Sequence, residues 1–222
     1  MTWDGLWEHT FSSRGWGRYP SEELVRFIAR NYYAAPERDK VRFLELGCGP
    51  GPNLWYLARE GFTAEGMDGS PTALRQALER LEAEGLAAPI GLRQGDVLDI
   101  GNLYEAGSFD CVLDIACLQH NPLDEVERTL DAVLKLLKPG GRMLSTLMAA
   151  GSWGDRTGRE VSPGTWTDIA EGPLAGGYVC HFFTEAELAQ MFGRFASYSV
   201  ERIDHAYGPS QTVKRWIVGA QA

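Results

Sequence analysis

Apolar positions along this chain fall into two alternating patterns, short continuous runs and helical stripes. Residues 1–20 are rich in Trp, Gly and Arg and show no clear period. From Pro20, a stripe made by Leu24, Val25, Phe27 and Ile28 predicts an amphipathic helix to about Tyr33, followed by a linker over 35–40. The run 41–46 reads as a buried strand that enters the glycine turn Gly47-Cys48-Gly49-Pro50-Gly51, after which residues 53–60 read as helix. A second strand at 64–67 ends on Asp68, and Ser70 and Pro71 suit the cap and first turn of a helix to about 84. Strands at Ile90–Gln94 and Phe109–Ile115 follow, then a helix over 123–137. Lys138-Pro139-Gly140-Gly141 is a hard stop before a fifth strand at 142–147.

Strands that alternate with helices imply right-handed crossovers and a parallel sheet, hence an α/β fold. The last third breaks this rhythm. Residues 149–180 are Gly- and Trp-rich with no steady period, a connection far longer than the usual two to six residues. A helix at 184–192 precedes strand-like runs at 197–205 and 213–220, whose short link at 206–212 suits an antiparallel hairpin.

A length of 222 residues suits one α/β domain with an insertion. The net charge of −9 argues against a general polyanion binder, so nucleic acid is an unlikely partner. Cys48, Cys111, Cys117 and Cys180 form no C-x-x-C pair, so no metal site is expected, and buried free thiols in a reducing compartment are. With no signal pattern and no apolar run near the roughly 18 residues of a membrane span, the expectation is a soluble, cytoplasmic protein without membrane partners.

The chemistry concentrates at Val41–Gly51. A strand, a tight glycine turn and a helix place a helix N-terminus and close-approaching backbone against a ligand. A dinucleotide fingerprint would need its third glycine at 52, where this chain has Pro52; its third glycine is Gly51. The form Glu45-x-Gly47-x-Gly49-x-Gly51 resembles motif I of the class I S-adenosylmethionine (SAM) dependent methyltransferases. That resemblance implies a Rossmann-like three-layer sandwich, with five parallel strands and the C-terminal hairpin in one seven-stranded sheet. It also implies SAM as cofactor, with Gly47, Cys48 and Gly49 as its loop and Asn53 opening the next helix.

Asp68, at the end of the second strand, would accept the ribose hydroxyls beside Gly69 and Ser70; alternatively it only caps the following helix. Asp96 and Val97 resemble the family's adenine-holding segment, although a Gly-Asp pair by itself is a turn. Asp114, Ile115 and Ala116 resemble the fourth motif, whose backbone would receive the methionine ammonium together with Glu45 and Gly47. Asp110 should point outward. Trp16 to Pro20 could form a lid in which Arg18 or Tyr19 meets the cofactor carboxylate, or Trp3, Trp7 and Trp16 could cover a sheet edge; both readings stand.

His120, just after the fourth strand, is either a base near the acceptor or a pocket wall, and His181 is a second candidate. Neither has an adjacent Ser or Cys, so hydrolase chemistry lacks a signature. A sulfonium is already electrophilic, so the resemblance implies in-line transfer that needs alignment more than a catalytic dyad. Acceptor contacts are expected from Trp16, His120, Trp153 and His181, with Trp166, Tyr178 and Phe182 as further pocket walls. The tetrapeptide associated with adenine amino methylation is missing, which favours a small-molecule acceptor on a monomer or homodimer. The organisation expected is a lid and helix at 1–40, a SAM-binding core at 41–148, a substrate cap at 149–181 and a helix with hairpin at 182–222. Two rivals remain: a catalytically silent SAM-binding scaffold, and a nicotinamide-dependent oxidoreductase, which Pro52 and the lack of a Tyr-x-x-x-Lys pair oppose.

Overall fold

The computed structural model describes residues 5–222. Two helices come first, α1 (Gly5–Ser13) and α2 (Glu22–Tyr32). The alternating region follows as β1 (Arg42–Leu46), α3 (Pro52–Arg59), β2 (Thr63–Asp68), α4 (Pro71–Ala83), β3 (Ile90–Gln94), the short α5 (Ile100–Leu103), β4 (Phe109–Ile115), α6 (Leu123–Leu136) and β5 (Leu137–Met148). Three short strands, β6 (Arg159–Ser162), β7 (Thr165–Thr167) and β8 (Cys180–His181), lead to α7 (Glu185–Phe192), β9 (Ser197–Ala206) and β10 (Thr212–Gln221).

Seven strands form one sheet in the order β3-β2-β1-β4-β5-β10-β9. The first five are parallel, and β10 pairs antiparallel with both β5 and β9. This is the Rossmann-like methyltransferase sheet, and β1 is buried at Phe43, Leu44, Glu45 and Leu46 because helices cover both faces. Alternation then sends its residues to different cores. Phe43 packs with Leu24 and Ile28 of α2 and Leu54 and Leu57 of α3. Leu44 packs with Val126, Leu130 and Val133 of α6 and Phe192 of α7. Glu45 shares the parity of Phe43 and meets α3 at the carboxyl end of the strand. Capping matches the sequence signals: Ser21 accepts from the Leu24 amide, Ser70 from the Ala73 amide, and Thr184 with Glu187 closes a capping box on α7.

Three segments differ from the pattern-based reading. Residues 5–13, which show no period, are helical and bury Thr10 and Phe11. β5 begins at Leu137, directly after α6, and Pro139-Gly140-Gly141 is accommodated where the β4–β5 register shifts between Phe109 and Cys111. The long insertion holds a three-stranded sheet, β6-β7-β8, whose strands are too short to show a period in sequence. Asp110 lies outside the cavity described below, bonded to the Arg42 amide and to Lys138 Nζ at 2.7 Å. Among the described residues no helix is long and apolar enough to cross a membrane, and no group of three or more His, Cys, Asp or Glu is placed to hold a metal.

Candidate active site

The turn after β1 is held open by its glycines. Gly49 has φ +52° and Gly51 φ +74°, conformations that side chains rarely adopt, and a Cβ on Gly51 would lie 2.9 Å from Ala77 Cβ in α4. Asp68 braces this turn from β2. Its Oδ2 accepts the Gly49 amide and its Oδ1 the Ser70 amide, both at 2.8 Å. Burial pushes its carboxyl above the ordinary range, and those amides pull the other way.

Glu45 is more extreme. It is 1% exposed, and burial raises its pKa to about 8 against the opposing Asn53 contact, with Asp68 and Asp114 adding to the rise. Asn53 Nδ2 donates to Oε1 at 2.6 Å, while the buried Oε2 has no hydrogen-bond partner. A buried acid with an orphaned oxygen is a site built for a cation. Asp114 is different. Its Oδ1 accepts the Cys117 and Leu118 amides at 2.9 Å each, and Ser145 Oγ donates to Oδ2, so this carboxylate shapes the turn after β4. Burial lifts it to about 6. In that turn Ala116 sits at φ +63°, a conformation that a non-glycine residue holds only where its surroundings impose it.

These turns open on a cavity of about 460 Å³ at the carboxyl ends of β1, β2 and β4, where strand order reverses. Glu45, Gly47, Cys48, Gly49 and Asn53 line it, as do Gly69 beside Asp68, Asp96 with Val97, and Ile115 with Ala116. Asp96 also caps locally, accepting the Leu98 amide at 3.0 Å. Trp16, Tyr19 and His120 complete the part of the wall expected from sequence, although Tyr19 is 74% exposed and rests edge-on against Trp55.

Four expected site residues are not in this wall. Ser70 and Asp114 lie behind it, engaged as described. Trp153 packs in a separate core with Met148 and Ile169 and faces Tyr207. His181 is 0% exposed, with Nδ1 at 2.8 Å from Thr165 Oγ1 and Nε2 at 3.5 Å from Glu187, and burial depresses its pKa. Both belong to the packing of the inserted sheet, because β8 enters the fold at its buried edge. Trp166 and Phe182 join that same core, and only Tyr178 of the expected insertion walls approaches the site, through Trp7. The insertion residues that do line the cavity are Leu174 and Val179.

The roof is α1. Trp7 and Phe11, four apart and so on one helix face, stack at 5.9 Å and line the cavity. Glu8 ties this helix to the start of α4, receiving hydrogen bonds from Ser70 Oγ and Thr72 Oγ1 at 2.5 Å each, which hold its carboxyl below the ordinary range. On the other side, Thr10 and Arg14 contact the Tyr178 hydroxyl. Of the segment expected as a lid, Trp16, Gly17 and Tyr19 line the cavity, and so does Trp7, expected only to cover a sheet edge, while Trp3 lies outside the described residues. Sequence reasoning passed over Trp7 and Phe11 as wall residues, and also Gln119 and Asn121, whose only signal was adjacency to His120.

The arrangement can be tested against the group that the glycine turn implies. Among the described cavity residues, Glu45, Asp68 and Asp96 are acidic and none is Lys or Arg. The orphaned Glu45 oxygen suits an ammonium, and Asp68 at the end of β2 suits a diol. A ligand carrying positive charge and a ribose fits these residues, as SAM does.

Comparison with known proteins agrees. Residues 43–141 match the model of the methyltransferase domain family. Norajmaline N-methyltransferase of Rauvolfia serpentina is 29% identical over 54% of this chain and 39% of that enzyme. A 2-heptyl-1-hydroxyquinolin-4(1H)-one methyltransferase of Mycobacteroides abscessus is 30% identical over 56% of this chain and 51% of its own length. The matches thus span about half or less of those curated relatives. A SAM-dependent methyltransferase from Methanosarcina mazei superposes with a TM-score of 0.67 at 22% identity, covering 87% of this chain and 96% of that one. Residues 43–141 are thus a methyltransferase domain by the family match, set in a Rossmann-like sheet of this order, and S-adenosylmethionine is the methyl donor that such a domain implies.

Proposed function

We propose that this protein transfers a methyl group from SAM to a small, largely apolar acceptor that carries no negative charge. The observation that carries this reading is the mixed lining of one cavity. Its acidic lining is Glu45, Asp68 and Asp96, and its aromatic and aliphatic lining includes Trp7, Phe11, Leu174 and Val179. An anionic acceptor would meet carboxylates without a compensating Lys or Arg in the wall, a costly burial. An extended polymer would have to displace α1, which is tied on both sides.

SAM supplies a methyl carbon on a positively charged sulfur, so little covalent chemistry is left to side chains. The protein's own work is placement. Glu45 holds the cationic amino end, Asp68 and the amides of the glycine turn orient the nucleoside, and α1 excludes water while pressing acceptor against donor. His120 lines the cavity edge-on to Trp7 at 4.8 Å. The names of the two relatives specify norajmaline and 2-heptyl-1-hydroxyquinolin-4(1H)-one, and both support the small-molecule reading. Four unpaired cysteines support a reducing, cytoplasmic setting, and we expect a monomer or homodimer.

The test is incubation with methyl-labelled SAM and a panel of small heteroaromatic alcohols, amines and thiols. Formation of S-adenosylhomocysteine in step with a labelled product is the expected result. Tight S-adenosylhomocysteine binding without product from any acceptor would instead favour a silent SAM-binding subunit.

A further inference from the structure

Gln119 and His120 form a hydrogen-bonded pair whose donor and acceptor roles are forced by the backbone. Both residues line the cavity, and Gln119 is 4% exposed. The Met148 amide lies 3.0 Å from Gln119 Oε1. An N–H can only donate, so this contact assigns the carbonyl oxygen of the amide and turns its NH₂ toward the imidazole. His120 Nδ1 lies 2.7 Å from the Val179 carbonyl, which can only accept, so Nδ1 carries the hydrogen. Nε2 faces the Gln119 NH₂ across 3.3 Å, and receiving that hydrogen requires an Nε2 lone pair. Three elements therefore set one tautomer: β5 through Met148, the insertion through Val179, and the loop after β4 that bears the pair.

We infer that Gln119 and His120 together read a protic acceptor atom, a hydroxyl or a neutral amine, with Gln119 as the positioning and specificity-determining partner. The inference rests on the methyl-transfer reading and names its substrate class. The wall offers, side by side, one hydrogen-bond donor and one acceptor, and the contact between them is long enough to yield to a better partner. A hydroxyl or a neutral amine satisfies both from a single atom, donating to Nε2 while its lone pair accepts from the Gln119 NH₂. A protonated amine has no lone pair for Gln119, a thiolate has no hydrogen for His120, and an ether or ketone oxygen leaves Nε2 unserved. The aromatic neighbours Trp7 and Phe11 suit a flat ring bearing that group. Gln119 is a positioning residue by two routes, fixing the tautomer of its neighbour and meeting the acceptor atom itself.

The first readout needs no turnover. In the cofactor-free protein with ¹⁵N-labelled histidine, His120 at neutral pH should show a protonated Nδ1 and a bare Nε2. Gln119→Glu keeps an oxygen for the Met148 amide but replaces the NH₂ by an acceptor, so Nε2 should become protonated in that variant. The second readout is binding of matched probes in the presence of S-adenosylhomocysteine. Phenol and aniline should bind several-fold more tightly than anisole and thiophenol, and Gln119→Glu should erase that preference. A wild-type His120 with Nε2 protonated, or phenol and anisole binding equally or not at all, would overturn the inference while leaving methyl transfer standing. Failure of S-adenosylhomocysteine itself to bind would overturn the underlying reading and this one with it.

Discussion

Both oxygens of the Asp68 carboxylate accept backbone amides, from Gly49 and from Ser70, so this residue holds the glycine turn as well as facing the cavity. Asp68→Ala should therefore do two things. It should lower affinity for S-adenosylhomocysteine at least about tenfold by calorimetry, and it should cost ~1.5–3 kcal/mol in urea denaturation, the scale of hydrogen bonds to a charged group. A stability loss with unchanged affinity would reduce Asp68 to a brace. Glu45 makes a different prediction. Its folded pKa of about 8 lies far above the roughly 4.3 of an unfolded glutamate, so the folded protein holds a proton that the unfolded chain has lost. Stability without ligand should consequently fall as pH rises from about 5 to 8, and Glu45→Gln should flatten part of that slope. Cofactor affinity should rise over the same window, because the ionised carboxylate is the form that pairs with an ammonium. Gly49→Val should give a folded protein that fails to bind, since a β-branched residue at φ +52° must distort the loop.

At the scale of elements, α1 is a roof fastened at Glu8. The hydrogen bonds from Ser70 and Thr72 depress its pKa, so the fastening is complete at neutral pH and weakens only as pH falls below the ordinary 4.5. Glu8→Ala should speed proteolytic cleavage near residues 5–13 and shorten the residence time of bound S-adenosylhomocysteine, read by stopped-flow. Unchanged cleavage would mean that the contacts to Tyr178 suffice. This element also marks the limit of what sequence discloses. Regions β1 to α4 were legible because period, caps and turn chemistry agree there: Ser70 and Pro71 announce α4, and the glycine turn announces the loop. α1 was not, because a nine-residue helix built around Trp7 and Phe11 is defined by what it packs on, with little propensity or period of its own. The insertion hid its sheet for the same reason, since strands of two to four residues carry no alternation. Trp153 and His181 look like site residues by type, but tertiary packing puts Trp153 in a separate core and buries His181 against Thr165 and Phe183. Only the folded chain brings Val179 to His120.

Across the whole molecule, the sheet order brings the carboxyl ends of β1, β2 and β4 together, and the N-terminal helix and the insertion, joined through Tyr178, line the cavity above them. On the proposed reading, binding and alignment are properties of the assembled chain, and the acids assigned to the cofactor come from three strand ends and their loops. That account ties cofactor binding to a proton. At pH 7 the Glu45 carboxyl is mostly protonated, and an ammonium beside its orphaned oxygen must drive that proton off. Calorimetric titration of the wild-type protein with S-adenosylhomocysteine, repeated in buffers of different ionisation enthalpy, tests this most directly. One molecule should bind per chain with net proton release at pH 7, release that disappears in Glu45→Gln. Absence of binding, or binding with no proton exchange and no response to Glu45→Gln, would contradict the assignment of this cavity as the SAM site.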